Sequence, residues 1–152
     1  FFFEMSGKKR LAKELQNVEK ASATEYTLSP VEDDLYKWQV VIKGPEGSCY
    51  EGGTFKVSVD IPQEYPYKAP TFKFATKIYH PSVTLEEGDI CGEIFTDWKP
   101  SIQIVDVVND ILSMLKTPDS KSALEPDIAK LLESDPAKFK STAQEYTKRY
   151  AT

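Results

Sequence analysis

Chemistry in this chain starts at Cys91, in the run Gly88-Asp89-Ile90-Cys91-Gly92-Glu93-Ile94. Turn-forming Gly88 and Gly92 on either side predict irregular, exposed backbone. That is the setting of a reactive thiol rather than a packed one. A thiolate is a nucleophile, yet an unperturbed cysteine is mostly thiol at neutral pH. The one histidine, His80, is the only imidazole that could serve as its base. It precedes Pro81 and lies among Ile78, Tyr79 and Val83. That context fits a structural ring held by backbone groups better than a catalytic one, which would need an orienting partner. Cys49, Cys91 and His80 lack the paired spacing of zinc ligands, and the redox pattern Cys-x-x-Cys is absent.

The apolar pattern shows which elements must position the thiol. Leu11, Leu15 and Val18 recur at helical spacing and predict a helix over residues 6–20. Its charges are mainly basic: Lys8, Lys9, Arg10, Lys13 and Lys20 against Glu14 and Glu19. This face reads either as solvated or, in a chain of net charge −5, as a docking surface. Strands are predicted within residues 24–75. Tyr36 to Ile42 is aromatic and β-branched, and Thr54 to Ile61 alternates apolar with polar. Gly44-Pro45-Glu46-Gly47 is a turn, and Pro62, Pro66 and Pro70 precede a last strand over 71–75. Short connections between sequential strands predict an antiparallel meander. Residues 76–100 lack periodicity and carry Cys91, His80 and Trp98; long irregular loops of this kind are commonly functional. Ile102, Val105, Val108, Leu112 and Leu115 predict a helix over 101–116, with Ser101 as N-cap and Pro118 as stop. A shorter helix follows from Pro126 to Leu132. Asp135-Pro136 opens a last one, with Phe139, Ala143, Tyr146 and Tyr150 along one face. The order predicts an α+β fold.

A length of 152 residues fits one domain. Its acidity argues against a general nucleic-acid binder, and no apolar run approaches the roughly 20 residues that span a bilayer. No secretory signal is visible, so Cys49 and Cys91 are expected as free thiols in a reducing compartment. Met5-Ser6-Gly7 reads as a start. Residues 1–5 are then a cloning remnant or short N-terminal extension, and 6–152 a single domain.

Four motifs stand in order: Tyr65-Pro66-Tyr67-Lys68-Ala69-Pro70, Tyr79-His80-Pro81, Gly88-Asp89-Ile90-Cys91, and Trp98-Lys99-Pro100 before a helix. With Trp38-Gln39-Val40, Tyr50-Glu51-Gly52-Gly53 and Leu124-Glu125-Pro126, they make a specific set. Over residues 6–150 the sequence resembles the ubiquitin-conjugating enzyme family. The resemblance implies a UBC-like fold: an N-terminal helix, a four-stranded antiparallel β-meander, a long active-site loop and three C-terminal helices. It implies an acyltransferase that works by transthiolation. Cys91 would accept ubiquitin from an activating enzyme as a thioester and pass it to a substrate lysine or a ligase cysteine. Exchange of one thioester for another is nearly isoenergetic, and a histidine base close by would help water destroy the intermediate; no triad is therefore expected. The same chemistry on another ubiquitin-like modifier is the alternative. A non-catalytic ubiquitin-binding variant is disfavoured, because such variants lack the cysteine.

Several positions depart from the family pattern. Ser82 stands where the family usually has an asparagine assigned to oxyanion stabilisation or loop bracing. A serine hydroxyl still donates but reaches less far, which implies slower transfer to lysine with loading less affected. Gly92 stands where leucine is commoner. The Val83–Gly88 loop is one residue longer than usual, and the Cys91–Trp98 segment one shorter. Glu93 supplies the acidic group often found two residues after the cysteine. On the acceptor side, beside Leu124, Ser122 falls where lysine-transferring members often carry aspartate; Asp119 or Glu125 are the available substitutes. The loss implies a preference for cysteine acceptors on ligases.

The resemblance also assigns surfaces. Arg10 and Lys13 on the first helix, Tyr67 and Lys68 on one loop, and Lys99, Pro100 and Ser101 on a second match the face shared by activating enzyme and ligases. Asp106, Asn109 and Ser113 would face the thioester-linked ubiquitin. The implied partners are ubiquitin or a related modifier, the activating enzyme, a ligase of the RING, HECT or RING-between-RING type, and protein substrates. Neither nucleic acid nor membrane is expected. The protein is expected to be a cytoplasmic or nuclear monomer with no bound cofactor, ATP being used upstream by the activating enzyme.

Overall fold

A computed structural model describes residues 2–21 and 23–152. Helix α1 spans Phe2–Ala21 and precedes strands β1 (Tyr26–Val31), β2 (Asp34–Lys43), β3 (Thr54–Asp60) and β4 (Thr71–Phe74). After the long loop come α2 (Glu93–Thr96), α3 (Ile104–Lys116), α4 (Pro126–Ser134) and α5 (Pro136–Tyr150). The helix expected over 6–20 thus begins four residues earlier, inside the segment expected to lie outside the domain. Among the described residues, no helix is long and apolar enough to cross a membrane.

The four strands form one antiparallel meander in the order β1-β2-β3-β4. Alternation sets its two faces: Phe55, Val57 and Val59 are buried while Thr54, Lys56, Ser58 and Asp60 are exposed. The pairs Val40–Val57 and Val59–Phe72 continue this apolar face across the sheet. The β1–β2 hairpin turns on Glu32 and Asp33, both in the left-handed region. Two such residues give the tight turn whose twist matches the flanking strands.

Helix α3 covers the apolar face. Ile104, Val107, Val108, Ile111, Leu112 and Leu115 are buried and join the sheet residues in one cluster. The helix does not start at Ser101. Gln103 is its N-cap, and the Asp106 carboxylate three residues on accepts the Gln103 N–H at 2.8 Å. The frame of the stripe is corrected accordingly: Ile102 and Val105 are only half-buried. Helix α5 opens as the sequence predicts, with Asp135 Oδ1 accepting the Lys138 N–H at 3.2 Å and Pro136 in the first turn. Phe139 and Ala143 are buried on its inner face together with Thr147, whereas Tyr150 is 40% exposed.

Candidate active site

The loop after β4 is built around His80. Tyr50 Oη donates to the Tyr79 carbonyl at 2.7 Å and anchors the entry. His80 is 1% exposed. Its Nδ1 accepts the Ser82 N–H at 3.0 Å, so the proton of the neutral ring sits on Nε2, which donates to the Met114 carbonyl at 3.0 Å. Burial pushes its pKa from 6.5 down to about 4, against the opposing pull of the Met114 carbonyl and Asp119. The imidazole is therefore neutral at pH 7 with both nitrogens occupied. It is a structural histidine and not a base for Cys91.

From Ser82 the chain makes a small hairpin that delivers the thiol. Val83 bridges to Ile90, and the Cys91 N–H donates to the Ser82 carbonyl at 3.0 Å. This puts Ser82 and Cys91 side by side, with Ser82 4% exposed and Cys91 half-buried. Thr84 closes the turn: its Oγ1 accepts the Asp89 N–H, and its carbonyl accepts the Gly88 N–H. Gly88 is required here. Its φ is +76°, and a Cβ would stand 2.1 Å from the Phe74 carbonyl oxygen. Lys73 and Asp89 pair at 3.2 Å and help to fasten the hairpin to β4. Gly92 has a different role from the turn former predicted. Its φ of −170° is extended backbone open to any residue, and it caps α2.

Cys91 opens onto a cavity of about 380 Å³ that Ser82, Glu93, Asp110, Ser113, Asp119, Lys121 and Ser122 also line. Ser82, Cys91, Glu93, Ser113 and Ser122 were all singled out in the sequence, and the fold brings them together. Leu124 reaches the same region through its N–H, which donates to the Pro81 carbonyl at 2.8 Å; Glu125 N–H shares that acceptor. Asp110 was missed. Its carboxyl is half-buried on α3, and burial, then the Glu93 charge, raises its pKa. Asp106 and Asn109 lie exposed on α3. Both cysteines are free thiols; Cys49 is buried, and burial pushes its pKa up.

A model of the family described as "Ubiquitin-conjugating enzyme" matches residues 10–147. The chain belongs to the ubiquitin-conjugating enzyme family. It is 43% identical to Ubiquitin conjugating enzyme E2 B of Dictyostelium discoideum over 147 residues, 97% of this chain and 99% of that protein. Among solved structures it resembles a Toxoplasma gondii ubiquitin conjugating enzyme E2 domain. The TM-score is 0.87 and the identity 33%, covering 95% of this chain and 99% of that one. It also resembles a proposed ubiquitin conjugating enzyme from Plasmodium yoelii, with TM-score 0.89, 35% identity and 96% of each chain covered.

In this conjugating enzyme the residues assigned to partner docking lie around a second, buried centre. Glu14, counted in the sequence among the exposed charges of α1, is 5% exposed. Its Oε2 accepts from Arg10 Nε at 3.0 Å and Tyr65 Oη at 2.6 Å, and its Oε1 accepts the Ile104 N–H at 2.8 Å. One carboxylate therefore joins α1, the Tyr65 loop and the first turn of α3, where an anion is favoured. Arg10 also donates to the carbonyls of Pro100 and Ile102, the latter at 2.8 Å, and its guanidinium lies 5.4 Å from the Tyr65 ring centre. Trp98 Nε1 donates to the Pro66 carbonyl at 2.8 Å. The two loops carrying Tyr67 and Lys68, and Lys99, Pro100 and Ser101, are thus clasped together. Tyr67 is 62% exposed, and Lys13, Lys68, Lys99, Pro100 and Ser101 are exposed too.

Proposed function

We propose that Cys91 accepts the C-terminal acyl group of ubiquitin from an activating enzyme as a thioester and transfers it to a lysine amine. The observation that carries this reading is a half-buried thiol on an open cavity whose neighbouring imidazole is fully occupied. Such a thiol can exchange acyl groups with another thiol. The thioester it carries meets no histidine base that would activate water against it. The acidic lining, Glu93, Asp110 and Asp119, supports an amine acceptor, which arrives as an ammonium ion. It weighs against the preference for cysteine acceptors that Ser122 suggested. Ser82, at the thiol, is the candidate to steady the oxyanion.

The clasped loops and α1 support docking of the activating enzyme and of ligases on the Arg10, Lys13 and Tyr67 face, in competition with each other. An exposed tyrosine beside proline is a suitable anchor. Free thiol chemistry of this kind suits a reducing compartment, the cytoplasm or nucleus.

Incubation with activating enzyme, ATP and ubiquitin tests the reading. A thiol-sensitive adduct is expected with wild type and Cys49→Ala and lost in Cys91→Ala. An adduct that survives Cys91→Ala refutes it. Loading with a panel of ubiquitin-like modifiers in place of ubiquitin decides the cargo.

A further inference from the structure

Gly92 and Asp110 lie together in the lining of the cavity beside Cys91. Gly92 follows the thiol directly and, at φ −170°, adopts a backbone that any residue accepts. The backbone therefore does not call for glycine, and any consequence of the missing side chain is one of space alone. A Cβ placed there would stand 3.6 Å from Asp110 Oδ2 and 3.9 Å from the Phe95 ring. Alanine would just touch the carboxylate, and a longer side chain such as leucine would extend over it. Phe95 itself packs against the Phe72 ring of β4, with centroids 5.9 Å apart. With glycine at 92, the Asp110 carboxylate looks past the backbone of the very residue that follows the nucleophile.

We infer that Asp110 receives the incoming lysine ammonium beside Cys91, and that Gly92 is the gap through which the two meet. The inference rests on the thioester reading of Cys91 and names the acceptor's binding group at that same site. The other titratable groups lining the cavity are Glu93 on α2, Asp119 and Lys121 after α3, and His80 and Cys91 on the loop. With His80 neutral, three carboxylates stand against one ammonium. The field favours a cation in the cavity. Burial, and then the Glu93 charge, also make Asp110 a better proton acceptor than an ordinary aspartate.

The step balances as follows. The lysine ammonium gives one proton to the Asp110 carboxylate, and the freed amine attacks the thioester carbonyl carbon. On collapse the C–S bond breaks and its electron pair leaves on the Cys91 sulfur. The nitrogen loses its second proton, which the thiolate takes up, and Asp110 returns its proton to water. An isopeptide bond and a free thiol result.

The experiment loads wild type, Asp110→Asn, Asp110→Glu, Gly92→Ala and Gly92→Leu with ubiquitin. The thioester is then chased with free lysine or with hydroxylamine, over neutral to mildly alkaline pH. Hydroxylamine is uncharged there and needs no deprotonation before it attacks. Discharge by lysine relative to hydroxylamine should fall about 100-fold in Asp110→Asn, the usual worth of a positioned base. The same ratio should fall in Gly92→Leu, fall less in Gly92→Ala, and partly recover in Asp110→Glu. The pH dependence of lysine discharge should change shape only where the carboxylate is lost or covered. An unchanged ratio in Asp110→Asn or Gly92→Leu overturns the inference, as does an equal fall with both nucleophiles. Wild type that never forms the thioester overturns the Cys91 reading itself, and this inference with it.

Discussion

Acid is expected to undo the loop that holds Cys91, through His80. The ring is neutral and buried, with a pKa held at about 4 against 6.5 when free. As pH falls, the unfolded chain therefore takes up this proton first. The stability tied to the neutral ring is fully present above 6.5, drains away as pH drops, and is gone below about 4. The whole gap is worth about 3 kcal/mol, of which about 2 kcal/mol is lost between pH ~7 and pH ~5. Carboxylates titrate in the same range, so the comparison is with His80→Gln, which has no proton to take up. Urea unfolding of both proteins at the two pH values gives the numbers. The stability advantage of wild type over His80→Gln should shrink by about 2 kcal/mol on acidification, or roughly 1 M in midpoint. The local cause is also specific. A protonated Nδ1 would point a second donor at the Ser82 N–H, loosening the pair whose carbonyl holds Cys91. An advantage that stays constant or grows as pH falls would refute the assignment of His80 as a buried, neutral, doubly bonded ring.

Two further outcomes follow from the hydrogen bonds at the other end of the fold and at the thiol. Glu14→Ala leaves Arg10 beside Tyr65 and the Ile104 N–H without their shared acceptor. Leaving the two buried donors, Tyr65 Oη and the Ile104 N–H, unsatisfied costs about 1–3 kcal/mol each, which a thermal melt should record as a drop of roughly 10 °C; a melt matching wild type would contradict the network. Ser82→Asn should speed discharge to lysine by about tenfold or more, since one oxyanion donor is typically worth 10²–10³-fold. Unchanged or slower discharge in a single-turnover chase would show that the hydroxyl already suffices.

Periodic burial made the meander and the long helices legible. Thr54–Asp60 alternates without a break, and α5 carries its own start signal in Asp135-Pro136. The β1–β2 turn gave no such signal, because Glu32 and Asp33 take left-handed angles without glycine or asparagine. Helix α2 is too short to display a period. Gln103 outcompeted Ser101 as cap because its partner Asp106 lies three residues on, a pairing visible only once the register of α3 is known. Of the residues lining the cavity, Cys91, Ser82 and Glu93 were singled out by motifs, whereas Asp110 was not. It sits at the margin of the apolar stripe, next to Ile111, where pattern alone reads a carboxylate as solvated. Glu14 was misread for the same reason: a charge four residues from an arginine on a helix resembles a surface pair until the tertiary fold closes over it.

Helix α3 meets the rest of the molecule at three depths along its thirteen residues. Ile104 is held by Glu14, Asp110 stands against Gly92, and Met114 holds His80. At 1.5 Å per residue it is a rod of about 20 Å. Inserting a single residue into it would swing everything beyond by about 100°. Asp110 would turn from the thiol or Met114 would abandon the imidazole. The length and phase of this one rod are thus dimensions on which the enzyme admits no tolerance.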